Sequence, residues 1–198
     1  MKGNIIICLL ALFLSACATT YQLPNDVSTS SLTVRSPQGQ RVSALIYGSV
    51  DECTGQQVLK SNSGSKASKT YTLPSSEVML SISMLPGAVN SYACRVTVKM
   101  NAEDGQHYVV DLVSNKGKQR CDNRIFNVKN KEVQVNAQYV DAVAPLLSVS
   151  KASFCDKYEF KNITLESGKF VSTAYKNNAY ATGTPGVIGT TTSALKEK

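Results

Sequence analysis

Between residues 31 and 128 the chain is cut into short runs such as SLTVRS, VSALIYGS, KTYTL, VMLSISM, YACRVTVKM, HYVVDLVS and RIFNV. Each is rich in Val, Ile, Tyr or Thr, and several alternate apolar with polar residues. Turn signals separate them: Ser36-Pro37-Gln38-Gly39, Asn62-Ser63-Gly64, Leu85-Pro86-Gly87, Asn101-Ala102-Glu103-Asp104-Gly105 and Asn115-Lys116-Gly117. Successive side chains of a strand point to opposite faces, so alternation in pieces of this length suits a half-buried sheet. Many short strands with no helical period between them predict an all-β chain, an antiparallel β-sandwich over residues 31–130.

The clearest pattern lies in residues 94–128. Asp104-Gly105 and Lys116-Gly117 sit between alternating runs and predict two consecutive hairpins. In the first strand Val96 and Val98 share one face, and Arg95, Thr97 and Lys99 take the other. After Asn130 the pattern weakens. KEVQVNAQYVDAVAPLLSVS opens like a strand and closes like a loop at Pro145, and DKYEFKNITLES alternates weakly around Tyr158, Phe160, Ile163 and Leu165. Residues 131–178 therefore read as an extension packed on the sandwich. The Thr-, Ala-, Gly- and Ser-rich end predicts a mobile tail over 179–198.

The other informative stretch is the beginning. Lys2 precedes ten unbroken apolar residues, Ile5 to Leu14. A membrane-spanning helix needs roughly 20 such residues, whereas a secretory signal needs a charge, a short apolar run and small residues before a cut. The tetrad Leu14-Ser15-Ala16-Cys17 resembles the lipobox of bacterial lipoproteins. That resemblance implies removal of residues 1–16, a thioether-linked diacylglycerol on Cys17 and usually a third acyl chain on the new amine. Two or three chains anchor a protein firmly where one does so only marginally. Ala18 stands where an Asp tends to retain such proteins at the inner membrane, so the resemblance points to the outer membrane and its periplasmic face. Residues 17–30, polar and without period, read as a flexible tether.

Processing leaves 182 residues and, with Lys2 gone, a formal charge of +6 in place of +7. It also leaves Cys53, Cys94, Cys121 and Cys155. An even count in an oxidising compartment predicts two disulfides, with three connectivities open. In a meander, Cys94 and Cys121 would flank one middle strand, two spacings or about 9.6 Å apart, beyond the roughly 7 Å reach of a disulfide. Unless the sheet curls strongly, that favours Cys53–Cys94 with Cys121–Cys155. Gly105-Gln106-His107-Tyr108 followed by Cys121 is similar to small periplasmic lipoprotein domains. The likeness implies an immunoglobulin-like or transthyretin-like sandwich and no activity.

Little in the chain points to catalysis. His107 is the only histidine and follows a turn. Ser63-Gly64-Ser65-Lys66 and Ser148-Val149-Ser150-Lys151 match S-x-x-K, but the first lies in a Gly/Ser-rich loop. The companion motifs of penicillin-binding enzymes are missing. No cysteine pair has zinc-site spacing, and no glycine-rich phosphate cradle is present. The expectation is a non-enzyme with no metal and no cofactor.

Residues 115–131 do carry Lys116, Lys118, Arg120, Arg124, Lys129 and Lys131 against Asp122, a local charge of +5. Lys116, Lys118, Arg120 and Arg124 are the candidate anion-binding residues, for wall or lipopolysaccharide groups; nucleic acid is not an expected partner of an exported chain. Together these readings predict an outer-membrane lipoprotein acting as a periplasmic interaction module. Its partner would be an envelope protein, as for an accessory subunit of an envelope or secretion assembly. The alternatives are an inhibitor or immunity-type lipoprotein and a binder of anionic wall material.

Overall fold

The computed structural model describes residues 19–85, 92–115, 119–128, 137–141, 154–163 and 168–176. They form β1 (Thr29–Arg35), β2 (Arg41–Ile46), β3 (Gln57–Val58), β4 (Ser63–Ser65), β5 (Ser68–Pro74), β6 (Glu77–Leu85), β7 (Tyr92–Asn101), β8 (His107–Asn115), β9 (Arg120–Asn127), β10 (Ala137–Val140), a short helix α1 (Phe154–Lys157), β11 (Lys161–Asn162) and β12 (Lys169–Lys176). The all-β architecture expected from the alternation is therefore present. Hydrogen bonding runs through one mixed sheet of 12 strands, in the order β3-β2-β6-β7-β12-β9-β8-β1-β5-β4, with β10 and β11 branching from β7. The β1–β8 ladder is parallel, and the other described strand pairs are antiparallel.

The sheet folds around one apolar cluster drawn from both of its halves. Leu32 and Val34 of β1, Leu80, Ile82 and Met84 of β6, Val96 and Val98 of β7, and Val110 and Leu112 of β8 all belong to it. Each set sits at every second position, which is how the strand period reaches the core. Polar links join the halves as well. The Val42 N–H donates to the Lys66 carbonyl at 2.9 Å, and the Ser36 hydroxyl reaches the Met84 sulfur at 3.2 Å.

The first of the two expected hairpins does not form. β7 pairs with β6, β10 and β12, whereas β8 pairs with β9 and β1. Residues 102–106 instead carry the chain from one half of the sheet to the other. The Ala102 N–H bonds the Ser76 carbonyl, and the Gly105 N–H bonds the Thr29 carbonyl, both at 2.9 Å. The Tyr108 hydroxyl closes this arch by accepting from the Glu103 N–H at 2.9 Å. It resembles the tyrosine corner of Greek-key sandwiches, in which a phenol satisfies backbone at such a crossing.

β12 explains the disulfides. Residues 169–173 pair with β9 and residues 174–176 with β7, so this strand passes from one half to the other in the middle of the sheet. Ala174 stands opposite Cys94, and Ser172 opposite Cys121. The sheet bends sharply about β12, and the inward-facing pair Cys94–Cys121 is bonded with Cα atoms 5.9 Å apart. Cys53–Cys155 is the second bond, with Cα atoms 5.6 Å apart. The favoured pairing of Cys53 with Cys94 and Cys121 with Cys155 is therefore corrected. Its premise of a flat meander fails, because the strand between Cys94 and Cys121 is β12 rather than β8 and the curl is strong.

Asp141 completes the corner. Its carboxylate accepts the Thr173 N–H at 2.8 and 2.9 Å, where β12 is leaving β9. The C-terminal region is thus not only an added piece, since it supplies an internal strand. Of its remaining described part, β10 and β11 extend the sheet from β7, with Ala137 and Ile163 in the main core, and the segment around α1 packs outside the sheet. Tyr47, Cys53, Met79 and Val140 form a second buried cluster, with Val50, Cys155, Tyr158 and Phe160 against it. This layer explains why Met79 and Thr97, on the outer face of β6 and β7, are completely buried. The expected tail over 179–198 lies outside the described residues.

Candidate functional site

Arg120 and Arg124 are the two candidate anion-binding residues that can be placed; Lys116 and Lys118, with Lys129 and Lys131, lie outside the described residues. Both arginines are on the outward face of β9. Arg120 forms an ion pair with Asp122 at 3.0 Å, two positions along the same strand. Arg124 is exposed, and its guanidinium lies 5.0 Å from the centre of the Phe126 ring.

The register extends the site across four strands. Lys169 of β12, Arg124 of β9, Asp111 of β8 and Arg35 of β1 are successive cross-strand neighbours. The Arg35 guanidinium grips both oxygens of Asp111, with Nε at 2.7 Å and Nη2 at 2.8 Å. It also lies 5.8 Å from the centre of the Phe126 ring. The hydrogen bond to Asp111 raises the Arg35 pKa above its ordinary value, against a smaller opposing effect of burial. Two guanidiniums thus share one ring beside one carboxylate, and such cation–π contacts hold arginines in place while leaving donors available. Val171 and Val128, 48% and 46% exposed, lie on the same outward side of β12 and just beyond β9.

Alternation alone puts Arg35, Asp111 and Phe126 on outward faces, so part of this row was readable. Their meeting was not, because it needs a parallel ladder between segments 76 residues apart. Lys169 was missed because KFVSTAYK did not read as a strand.

His107 has a local role in the same half of the sheet. Its Nε2 lies 2.9 Å from the Thr33 hydroxyl, which lies 2.9 Å from that of Thr70. Ser63-Gly64-Ser65-Lys66 occupies β4 and the turn that follows it. Gly64, at φ +114°, is pressed against the Ser68 carbonyl where a Cβ could not fit. This hairpin geometry places the serine and lysine differently from the helical turn that S-x-x-K chemistry uses. Ser148, Val149, Ser150 and Lys151 of the second match lie outside the described residues, as does Cys17. Among the described residues no cluster of His, Cys, Asp or Glu is arranged to hold a metal ion. The cysteines Cys53, Cys94, Cys121 and Cys155 are all in disulfides.

What the arrangement offers chemically is recognition: fixed guanidiniums, a ring and exposed valines on a stiff sheet. The chain matches no protein-family model, no curated protein and no solved structure.

Proposed function

We propose that this protein is an outer-membrane lipoprotein, anchored through Cys17 at the periplasmic face, that works as a non-catalytic interaction module for an envelope protein. The observation that carries the interaction reading is the outward face of β1, β8, β9 and β12. Arg35 and Arg124 converge there on Phe126, with exposed Val171 and Val128 alongside. Arginine and aromatic residues are enriched in protein interfaces, and truncating them there is most costly when they are held rigidly. The export reading is supported by the two disulfides, which persist in oxidising compartments. Anchoring adds effective concentration near a membrane-bound partner, so a modest intrinsic affinity suffices.

A direct reading through wall or lipopolysaccharide anions rests on Lys116, Lys118, Arg120 and Arg124. It is the weaker one, since Arg120 already has Asp122 for a partner. The experiment is cross-linking in intact cells followed by capture on a C-terminal tag, comparing the wild type with Cys17→Ser and Arg124→Glu. The expected result is one stoichiometric protein partner, reduced in both variants. Capture of wall or lipopolysaccharide material alone, released by salt, would overturn the protein-partner reading. A tight soluble toxin or hydrolase unaffected by Cys17→Ser would replace it with the inhibitor reading.

A further inference from the structure

The segment behind Cys17 was expected to be a loose tether, but its first described residues are fixed to the sheet. The Val58 N–H donates to the Thr19 carbonyl and the Tyr21 N–H donates to the Val58 carbonyl, both at 2.9 Å. Thr20 and Val58 form a parallel bridge, and Tyr21 packs half-buried against the core. Only Ala18 lies between Cys17 and Thr19, and two residue steps span at most about 7 Å. A lipid on Cys17 is therefore held close to one place on the domain.

The ladders also say which end of the domain that is. Because the Thr20–Val58 bridge is parallel, tracing the chain back toward Cys17 runs in the direction from Val58 to Gln57. β3 is antiparallel to β2, with Leu45 opposite Val58 and Ile46 opposite Gln57, so this is the direction from Val42 to Ile46. The opposite direction along β2 leads to Val42, which stands in register with Met84 and, through it, with Cys94. Cys94 is bonded to Cys121, whose cross-strand neighbour is Ser114, one step before Asn115 faces Arg120. Two contacts at the same end agree. Ser36 reaches Met84, and the Gln38 side chain bonds Ser114 at 2.8 Å. The other end of the sheet carries the turn at Ser75 and Ser76 and the arch that Ala102 fastens to it.

We infer that the anchor fixes the orientation of the domain on its membrane. The end at Ser76 and Glu103 lies against the bilayer surface, and the end where Asn115 faces Arg120 is directed away from it. The inference rests on lipidation of Cys17. It deepens the proposed function: along the outward face of β9, the part around Asp122, with Val171 opposite it, is then presented to the compartment. Val128, just past Asn127 opposite Tyr108, is turned toward the head groups of the anchoring membrane.

The chain contains no tryptophan, so a single introduced one reports its own surroundings. Ser76→Trp and Glu103→Trp mark one end; Lys66→Trp and Pro37→Trp mark the other; all four positions are exposed. Each full-length lipidated variant is placed in phosphatidylethanolamine–phosphatidylglycerol vesicles carrying a trace of dansyl-phosphatidylethanolamine. Energy transfer from tryptophan to dansyl is then read, with mass spectrometry of the acylated N-terminus. The expected result is transfer several-fold greater from Ser76→Trp and Glu103→Trp than from the other two. A flexible Gly-Ser insertion between Ala18 and Thr19 should bring the four toward one value. Equal transfer without the insertion, from protein shown to be acylated, overturns the orientation and leaves the lipoprotein reading standing. Absence of acyl groups on Cys17 overturns both.

Discussion

Arg35 and Asp111 face each other across the parallel ladder between β1 and β8, and the guanidinium meets both carboxylate oxygens, at 2.7 and 2.8 Å. Two-pronged contacts of this kind are stronger and more directional than single ones. This one fastens strands whose partnership depends on residues far apart in sequence.

The pair is only partly sheltered, the Arg35 side chain being 43% exposed, so its coupling should be modest. A double-mutant cycle on Arg35→Ala and Asp111→Ala, followed by urea unfolding, should give a coupling of about 1 kcal/mol. The value should fall in high salt. Additivity of the two substitutions would show that the contact contributes nothing of its own.

Asp141 should matter more than an acid near the surface usually does. Its carboxylate serves the Thr173 N–H and hydroxyl where β12 changes partners. Asp141→Ala leaves that N–H without its acceptor and should destabilise by about 1–3 kcal/mol. Asp141→Asn, which keeps one acceptor oxygen, should cost less. Unfolding midpoints indistinguishable among the three proteins would contradict this role.

Alkali should weaken the fold through its tyrosines. Burial pushes Tyr71 up to about 12, partly offset by a backbone hydrogen bond with Ala44, and burial also raises Tyr21, Tyr108 and Tyr139. The folded state holds these phenolic protons more tightly than the unfolded chain does. The stabilisation from Tyr71 is therefore fully present below pH 10 and is lost as pH rises from 10 toward 12. It amounts to about 2–3 kcal/mol for a shift of this size. Denaturant titrations at a series of pH values should show the decline, and Tyr71→Phe should flatten it.

The two disulfides should fail differently. Cys53–Cys155 joins residues 102 apart and fixes the outer layer. Replacing both cysteines by Ser should cost about 2–5 kcal/mol while leaving the strand core intact. Limited proteolysis should then cut first near Cys155. Replacing Cys94 and Cys121 should loosen the sheet itself, which hydrogen exchange along β7, β9 and β12 would reveal. The reverse order of damage would refute the layering.

Where one face of a strand was apolar, the sequence was enough. Leu80, Ile82 and Met84 in VMLSISM, and Val110 and Leu112 in HYVVDLVS, all point into the core. Met79 and Ser81 are buried as well, which alternation cannot foresee because a second layer covers them. β12 was illegible for a related reason. Its inward residues are Phe170, Ser172 and Ala174, two of them small, and the bend at the disulfide leaves little room there. Missing that strand made the disulfide pairing unreadable too. On the outward face, Arg120 and Arg124 were found from local charge, but Arg35 and Asp111 meet only through long-range topology.

The late position of β12 has a consequence for timing. Its residues lie at 169–176, behind the other described strands, yet it occupies the middle of the sheet. A polypeptide delivered from its amino end, by a ribosome or through a pore, can form local hairpins early. It cannot join β7 to β9, or seat Phe170, until residues 169–176 have arrived. The fold therefore closes from the last of its described strands, and the chain stays pliable until that strand has emerged.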